Sequence, residues 1–218
     1  MLVAARTTWR TVALVEVATM FVALLSYIWA WQRTFAGASL LIIALYCGLG
    51  LMSHLRRHET AWYLGLRADN LARALRNALF IAVPAVVVAL GIGLALGTWH
   101  FPSWLRILKE APWMVAWATA QQYGLLCFFY RRFLEIFADP AAATASAAVM
   151  FATFHIPNVF LIAVTLAAGV AACTLYRRET NLFAIGVAHA LVSIVLLCSL
   201  PESVTHGLRV GPGYLAGL

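Results

Sequence analysis

Seven mostly apolar blocks recur along the chain, separated by short segments that carry arginine, proline or other polar residues. Most of these blocks are long enough to cross a ~30 Å hydrocarbon layer as a helix. The pattern therefore predicts seven membrane-spanning helices. They cover residues 11–31, 37–53, 78–98, 112–130, 141–155, 159–176 and 182–200.

The segment between the second and third blocks, AWYLGLRADNLARALRNAL, has a different pattern. Its leucines recur near helical spacing at 64, 71, 75 and 79, while polar residues occupy the other positions. A helix with one apolar and one basic face lies in a membrane interface. The sequence predicts one such amphipathic helix over residues 61–79.

Composition supports a membrane protein over a soluble one. The chain of 218 residues is 64% hydrophobic and 11% charged, with a mean hydropathy of +0.89, outside the range of soluble domains. The expected fold is all-α, a polytopic membrane helical bundle forming a single membrane domain over residues 1–218.

The net charge of +7 is explained by membrane topology. The arginines are scattered at segment ends and form no stripe, so nucleic acid is not expected as a partner. With seven spans and a cytoplasmic amino terminus, eleven of the fifteen basic residues fall on the inner side, as the positive-inside rule requires. The expected location is the inner membrane of a bacterium, with the carboxyl terminus outside.

No metal or cofactor is expected from the sequence. The four cysteines lie in apolar segments without C-x-x-C spacing. The two histidines within predicted spans, His155 and His189, have no carboxylate or thiolate to complete a zinc site. Membrane lipid is the one partner that composition alone implies.

A few polar residues lie within the predicted spans, where such groups normally face a bundle interior or a water-filled cavity. They are Glu16, Gln121, Gln122, His155 and His189. Each has a structural interpretation: Glu16 could pair with an arginine, a histidine could bond to a carbonyl, and glutamines could join helices by hydrogen bonds.

The depth of these polar residues in the predicted membrane favours one site that they share. Gln121 lies about nine residues from one membrane face and His189 about seven from the other, or roughly 13 and 11 Å at helical rise. Polar side chains in hydrocarbon are satisfied most readily by one another. We therefore predict that Gln121 or Gln122 lies within hydrogen-bonding reach of His155 or His189.

Three motifs in this region resemble those of the CAAX protease and bacteriocin-processing family (CPBP, or Abi) of intramembrane endopeptidases. QQYGLLCFFYRR is followed by Phe151–His155 as F-x-x-x-H, and then by His189 in the next helix but one. The resemblance covers residues 110–200. It implies a membrane-embedded cavity in which a glutamate and a histidine activate water to hydrolyse a membrane-embedded or prenylated peptide.

Half of the family pattern is changed in this chain. The first family motif is E-E-x-x-x-R, and its two glutamates and its arginine correspond to Gln121, Gln122 and Leu126. The third family motif is H-x-x-x-N or H-x-x-x-D, and its last residue corresponds to Ser193. A carboxamide keeps the shape of a carboxylate but cannot accept a proton near neutral pH. The expected catalytic residues are Gln121, Gln122, His155 and His189, and the expected binding residues are Phe151, Asn158, Ser193 and Glu16.

Two functions stay open at this point. The first is an intramembrane endopeptidase whose general base is altered, with a histidine in place of glutamate. The alternative is a non-catalytic relative that binds a hydrophobic peptide or lipid as a scaffold or chaperone. A secondary transporter is disfavoured because the two halves show no internal repeat.

Overall fold

The computed structural model describes residues 2–34 and 36–217, with side chains from residue 8 onward. Its regular structure is helical, and this described part contains no strand, which confirms the all-α class. The α-helices are α1 (Leu2–Ser26), α2 (Gln32–Thr34), α3 (Ala38–Arg56), α4 (Leu71–Ala95), α5 (Trp104–Gln122), α6 (Arg131–Phe137), α7 (Pro140–Thr153), α8 (Val159–Glu179), α9 (Leu182–Ser199), α10 (Glu202–Thr205) and α11 (Gly211–Leu215). π-Helical segments occupy Tyr27–Trp31 and Tyr123–Tyr130, and a 3₁₀ turn covers His206–Leu208.

Five helical segments are long and apolar enough to cross a membrane: Thr8–Thr34, Ala38–Arg56, Leu71–Ala95, Val159–Glu179 and Leu182–Ser199. Their outward side chains are apolar, as in Phe80, which is 81% exposed. These helices indicate a membrane protein. The fourth and fifth predicted spans are also helical, but α5 contains three charged residues and α7 has only 14 residues.

The predicted amphipathic helix over residues 61–79 is wrong in its first half. Residues 61–70 form turns, and helix begins at Leu71 as the start of α4. Gly65 has a φ of +83°, and a side chain there would press on the backbone of Thr180 and Leu182. Because these long-range contacts fix the segment as a loop, they override its helical periodicity.

The chain forms two compact units. Unit 1 comprises Met1–Thr60, Phe128–Val170 and Val210–Leu218, and unit 2 comprises Ala61–Cys127 and Ala171–Arg209. Each unit is assembled from segments distant in sequence. The expectation of a single membrane domain over residues 1–218 stays a prediction.

In unit 2, α9 packs against both α4 and α5. Gly93 of α4 approaches the backbone of Ser199 so closely that a Cβ would overlap it. Asn181 begins α9, and its Oδ1 accepts a hydrogen bond of 3.0 Å from the Ala184 amide. Its Nδ2 donates to the Arg67 carbonyl and to Asn70 Oδ1, at 2.9 and 2.8 Å. One buried asparagine thus caps a helix and holds the 61–70 loop.

In unit 1, α1 packs against α3 and α6, and α6 packs against α7. α7 begins at Pro140 after Asp139, whose carboxylate accepts from the amides of Ala141 and Ala142 at 3.1 and 2.9 Å. Proline at the first helical position and aspartate before it both favour a helix start. The following α8 packs closely on α7, where Gly169 meets Ala148.

Charged side chains from α1, α3, α6 and the 57–59 turn form a buried cluster in unit 1. The members of this arginine–glutamate cluster are Glu16, Arg56, Arg57, Glu59, Arg131, Arg132 and Glu135. Arg132 is fully buried and pairs with Glu59 and with Glu135, the latter at 2.8 Å. Arg57 Nε lies 2.8 Å from Glu135 Oε1, and its Nη1 lies 2.9 Å from Glu16 Oε2.

Glu59 is the acid with the strongest perturbation in this cluster. Burial alone raises the pKa of Glu59, but the hydrogen bond with His54 and the charges of Arg132 and Arg131 outweigh burial. They lower the pKa from its ordinary 4.5 to about 2. A carboxylate with a lowered folded-state pKa stabilises the fold above its unfolded value, and this stabilisation is lost as the pH falls through that range.

We predict that the protein in nonionic detergent keeps a constant unfolding midpoint above about pH 5 and loses stability between about pH 4.5 and 2.

Glu59→Gln should lower the free energy of unfolding by roughly 3–5 kcal/mol at pH 7, because it leaves buried arginines without their acid. Thermal unfolding monitored by circular dichroism measures both effects. Glu110→Gln, which removes an exposed partner of Arg106, is the control and should cost roughly 0–1 kcal/mol. Equal losses in the two variants would contradict a structural role for the cluster.

Candidate functional site

Gln122 and His189 form a hydrogen-bonded pair in unit 2. Gln122 is the last residue of α5 and is 2% exposed, while His189 lies in the middle of α9. Gln122 Nε2 donates to His189 Nδ1 at 2.9 Å. The contact expected between a glutamine and a histidine is therefore present, between residues 67 positions apart.

Close packing of two helices brings this pair together. One turn before His189, Gly186 faces Thr119, which lies one turn before Gln122. A Cβ at Gly186 would overlap Thr119 Oγ1 and lie 3.0 Å from Thr119 Cα. Because glycine lets the backbones approach, the glutamine on one helix reaches the histidine on the other.

The direction of the hydrogen bond fixes the tautomer of His189. An amide N–H always donates, so Nδ1 of the imidazole accepts, and the neutral ring carries its proton on Nε2. The other end of the amide, Gln122 Oε1, is buried and has no hydrogen-bond partner in the described part of the chain. The site therefore contains one unfilled acceptor, which is unfavourable until a donor reaches it.

His155 belongs to unit 1, in the turn that follows α7. Its Nδ1–H donates to the Phe151 carbonyl at 2.8 Å, and its ring lies edge-on to the Phe151 ring with centroids 5.0 Å apart. This bond leaves Nε2 of the neutral imidazole as the acceptor. Phe151 thus orients His155 through both its carbonyl and its ring.

Among the remaining residues expected at the site, Asn158 lies in unit 1, and Ser193 and Gln121 lie in unit 2. Asn158 is fully buried, and its Oδ1 accepts from the Leu161 amide at 3.1 Å at the start of α8. Ser193 lies one turn beyond His189 on α9, and Gln121 is half-buried. Leu126, at the position of the family arginine, is fully buried in unit 2.

Glu16 is engaged in the arginine–glutamate cluster. It accepts from Ser53 Oγ at 2.9 Å and forms the ion pair with Arg57 described above. The structural interpretation of Glu16 as a partner of an arginine agrees with this geometry. Its expected role in binding stays a prediction.

Each of the eight acidic side chains of this sequence has an ion-pair or hydrogen-bond partner. Asp139 caps α7, and Glu179 accepts from Arg73 and Asn77 at 2.9 and 2.7 Å. The other acids, Glu16, Glu59, Asp69, Glu110, Glu135 and Glu202, are paired with arginines. Within the described residues, no group of three or more His, Cys, Asp or Glu side chains could hold a metal ion.

Sequence reasoning missed the arginine–glutamate cluster. The positive-inside rule places Arg57, Arg131 and Arg132 on the cytoplasmic side, but it does not predict that Arg132 is fully buried. One local signal was available, since Glu135 follows Arg132 at i+3 and pairs with it. Acids so close to arginines at the end of an apolar segment indicate pairing as well as topology.

We predict that Gly186→Ala lowers the free energy of unfolding by roughly 1–3 kcal/mol, because the added methyl group forces α5 and α9 apart. Gly91→Ala in α4 is the matched control, since its Cβ would meet nothing within 4 Å. There, alanine should be neutral or stabilise by roughly 0.5–1 kcal/mol through helix propensity. Equilibrium unfolding in detergent measures both changes. Similar stabilisation in both variants would show that the close approach at Gly186 is not required.

Comparison with known proteins gives no family for this chain: no protein-family model, no curated protein and no solved structure matches it. The resemblance to CPBP endopeptidases thus rests on the three motifs alone.

Proposed function

We propose that this chain is a seven-span protein of CPBP type that binds a membrane-embedded or prenylated peptide at Gln122 and His189 and hydrolyses it. The observation that carries the proposal is the buried Gln122–His189 pair with its unfilled acceptor. A peptide N–H is a donor that suits Gln122 Oε1. In an apolar environment such a bond contributes more than it would in water.

Hydrolysis requires a group that takes a proton from water. Rotation of the Gln122 carboxamide by half a turn, together with transfer of the ring proton of His189 from Nε2 to Nδ1 through water, would place Oε1 against Nδ1–H and leave Nε2 as the proton acceptor. His189 would then take a proton from water as the water oxygen attacks the scissile carbonyl. The imidazolium would return this proton to the leaving amine as the C–N bond breaks.

The second candidate function is binding without hydrolysis. It is favoured by the carboxamide of Gln122, which stands where the resembled family has a carboxylate and cannot take a proton from water. It also needs no rotation of Gln122. In this case the protein would hold a hydrophobic peptide or lipid as a scaffold or chaperone.

The proposed topology places the amino terminus in the cytoplasm and the carboxyl terminus outside a bacterial inner membrane. It is supported by the 11-to-4 division of the basic residues. This topology needs two spans in addition to the five long apolar helices. One is α5 with the π-helical segment that follows it, and the other is the short α7. A helix of 14 residues is about 21 Å long, so the bilayer around α7 would have to thin locally.

We predict that single cysteines at His58 and Arg178 in a cysteine-free background react with impermeant maleimide only from the cytoplasmic side. Cysteines at Lys109 and Arg209 should react from the opposite side, because an odd number of spans separates the two groups. Labelling of intact cells and of inverted vesicles gives the measurement. Two sites labelled from the unexpected side would contradict the seven-span arrangement.

We predict that the wild-type chain in liposomes cleaves a prenylated or single-span model peptide, and that His189→Ala reduces the rate at least 100-fold by removing the proton acceptor. His100→Ala, at an exposed histidine, is the matched control and should keep the wild-type rate. Mass spectrometry of the peptide identifies the products. If no variant forms a product and His189→Ala no longer binds the peptide, the result would favour the binding function. Equal products from His189→Ala and the wild type would contradict both roles of His189.

A further inference from the structure

An open pocket lies beside the arginine–glutamate cluster in unit 1. It has a volume of about 390 Å³ and is lined by Trp9, Arg56, Arg57, His58 and Glu135. Arg56 is 55% exposed at its side chain, whereas the Arg57 side chain is 9% exposed. The pocket is therefore lined by the solvent-accessible guanidinium of Arg56 and the buried guanidinium of Arg57.

The charges around this pocket do not balance. The cluster contains four arginines and three glutamates, which leaves one positive charge with the histidines neutral. Two of its buried nitrogens, Arg57 Nη2 and Arg132 Nε, have no hydrogen-bond partner among the described residues. The buried arginines are paired with the glutamates, so the surplus charge lies at the accessible Arg56, whose contact with Glu16 is long, at 3.8 Å, and an anion at this position would complete its pairing.

The position of the pocket along the chain identifies the source of that anion. Arg56 ends one apolar segment that could span a membrane, and Trp9 lies at the start of another. The Trp9 ring is 44% exposed and lies 5.2 Å from Arg57 Cζ. Tryptophan at a helix end is typical of the level of lipid headgroups, where basic pockets between helices bind anionic lipids.

We propose that this pocket binds the phosphate of an anionic phospholipid. Arg56 contacts the phosphate directly, Arg57 supplies a fixed positive charge behind it, and Trp9 packs against the upper part of the acyl chains. The ion pair of Arg56 with Glu16 is long, at 3.8 Å, so Arg56 can turn to the lipid with little loss. This site lies within unit 1 and does not depend on the proposed hydrolase or binding function of unit 2.

The test is binding of a fluorescent phosphatidylglycerol to the purified full chain in nonionic detergent. Unlabelled phosphatidylglycerol should displace it, whereas phosphatidylcholine and millimolar inorganic phosphate should not. Arg56→Gln should weaken binding about fivefold, the effect of about 1 kcal/mol per arginine near a lipid surface. Arg33→Gln, at an exposed arginine beyond the other end of α1, should bind as the wild type does.

Equal affinity in Arg56→Gln and the wild type would overturn the proposal, as would equal displacement by phosphatidylcholine. Displacement by inorganic phosphate as effective as that by phosphatidylglycerol would show a site for free anions and overturn the lipid assignment. Trp9→Ala, which removes the ring proposed to pack against the acyl chains, provides a second variant at the pocket if Arg56→Gln unfolds. Its binding should weaken relative to Arg33→Gln, and no change in either pocket variant would reject the site.

Discussion

The fully buried guanidinium of Arg132 imposes the main constraint on unit 1. An unpaired arginine in a low-dielectric interior is strongly unfavourable, so Glu59 and Glu135 must lie beside it. Glu59 comes from the turn after α3 and Glu135 from α6. Since Arg57 then shares Glu135 and binds Glu16 of α1, the same charges tie three helices together. The packing of unit 1 follows from the need to neutralise these groups.

Unit 2 meets the same constraint with neutral groups. Gln122 is deeply buried, and its amide N–H donates one hydrogen bond to His189, while its Oε1 has no partner among the described residues. Asn181 and Asn70 likewise bond to each other and to backbone carbonyls in place of ion pairs. Neutral pairs carry a smaller desolvation penalty than ion pairs, so they suit a site that must open to a ligand.

The positions of the helices could be predicted from hydropathy, because each apolar block must satisfy its backbone internally. The predicted segments at 159–176 and 182–200 match α8 and α9 closely. The Gln122–His189 contact could also be predicted, since polar side chains in an apolar layer need partners. The 61–70 loop could not, because its conformation depends on Leu64, Gly65 and Asn70 meeting residues more than 60 positions away. The role of Gly186 could not be predicted either, since small residues are common in apolar helices and only the contact with Thr119 distinguishes this one.

The choice between hydrolysis and binding depends on where a proton can go. The two histidines have opposite tautomers: Nδ1 accepts in His189, and Nδ1 donates in His155. In His189 the lone pair is already used by Gln122, so the arrangement as found can bind a ligand but cannot remove a proton from water. Rotation of one carboxamide, together with a shift of the ring proton from Nε2 to Nδ1, reverses this state and satisfies Gln122 Oε1 at the same time, although the amide N–H groups then need a new acceptor. A bound peptide carbonyl could supply that acceptor, and the substrate itself would then convert the site from a binding to a catalytic arrangement.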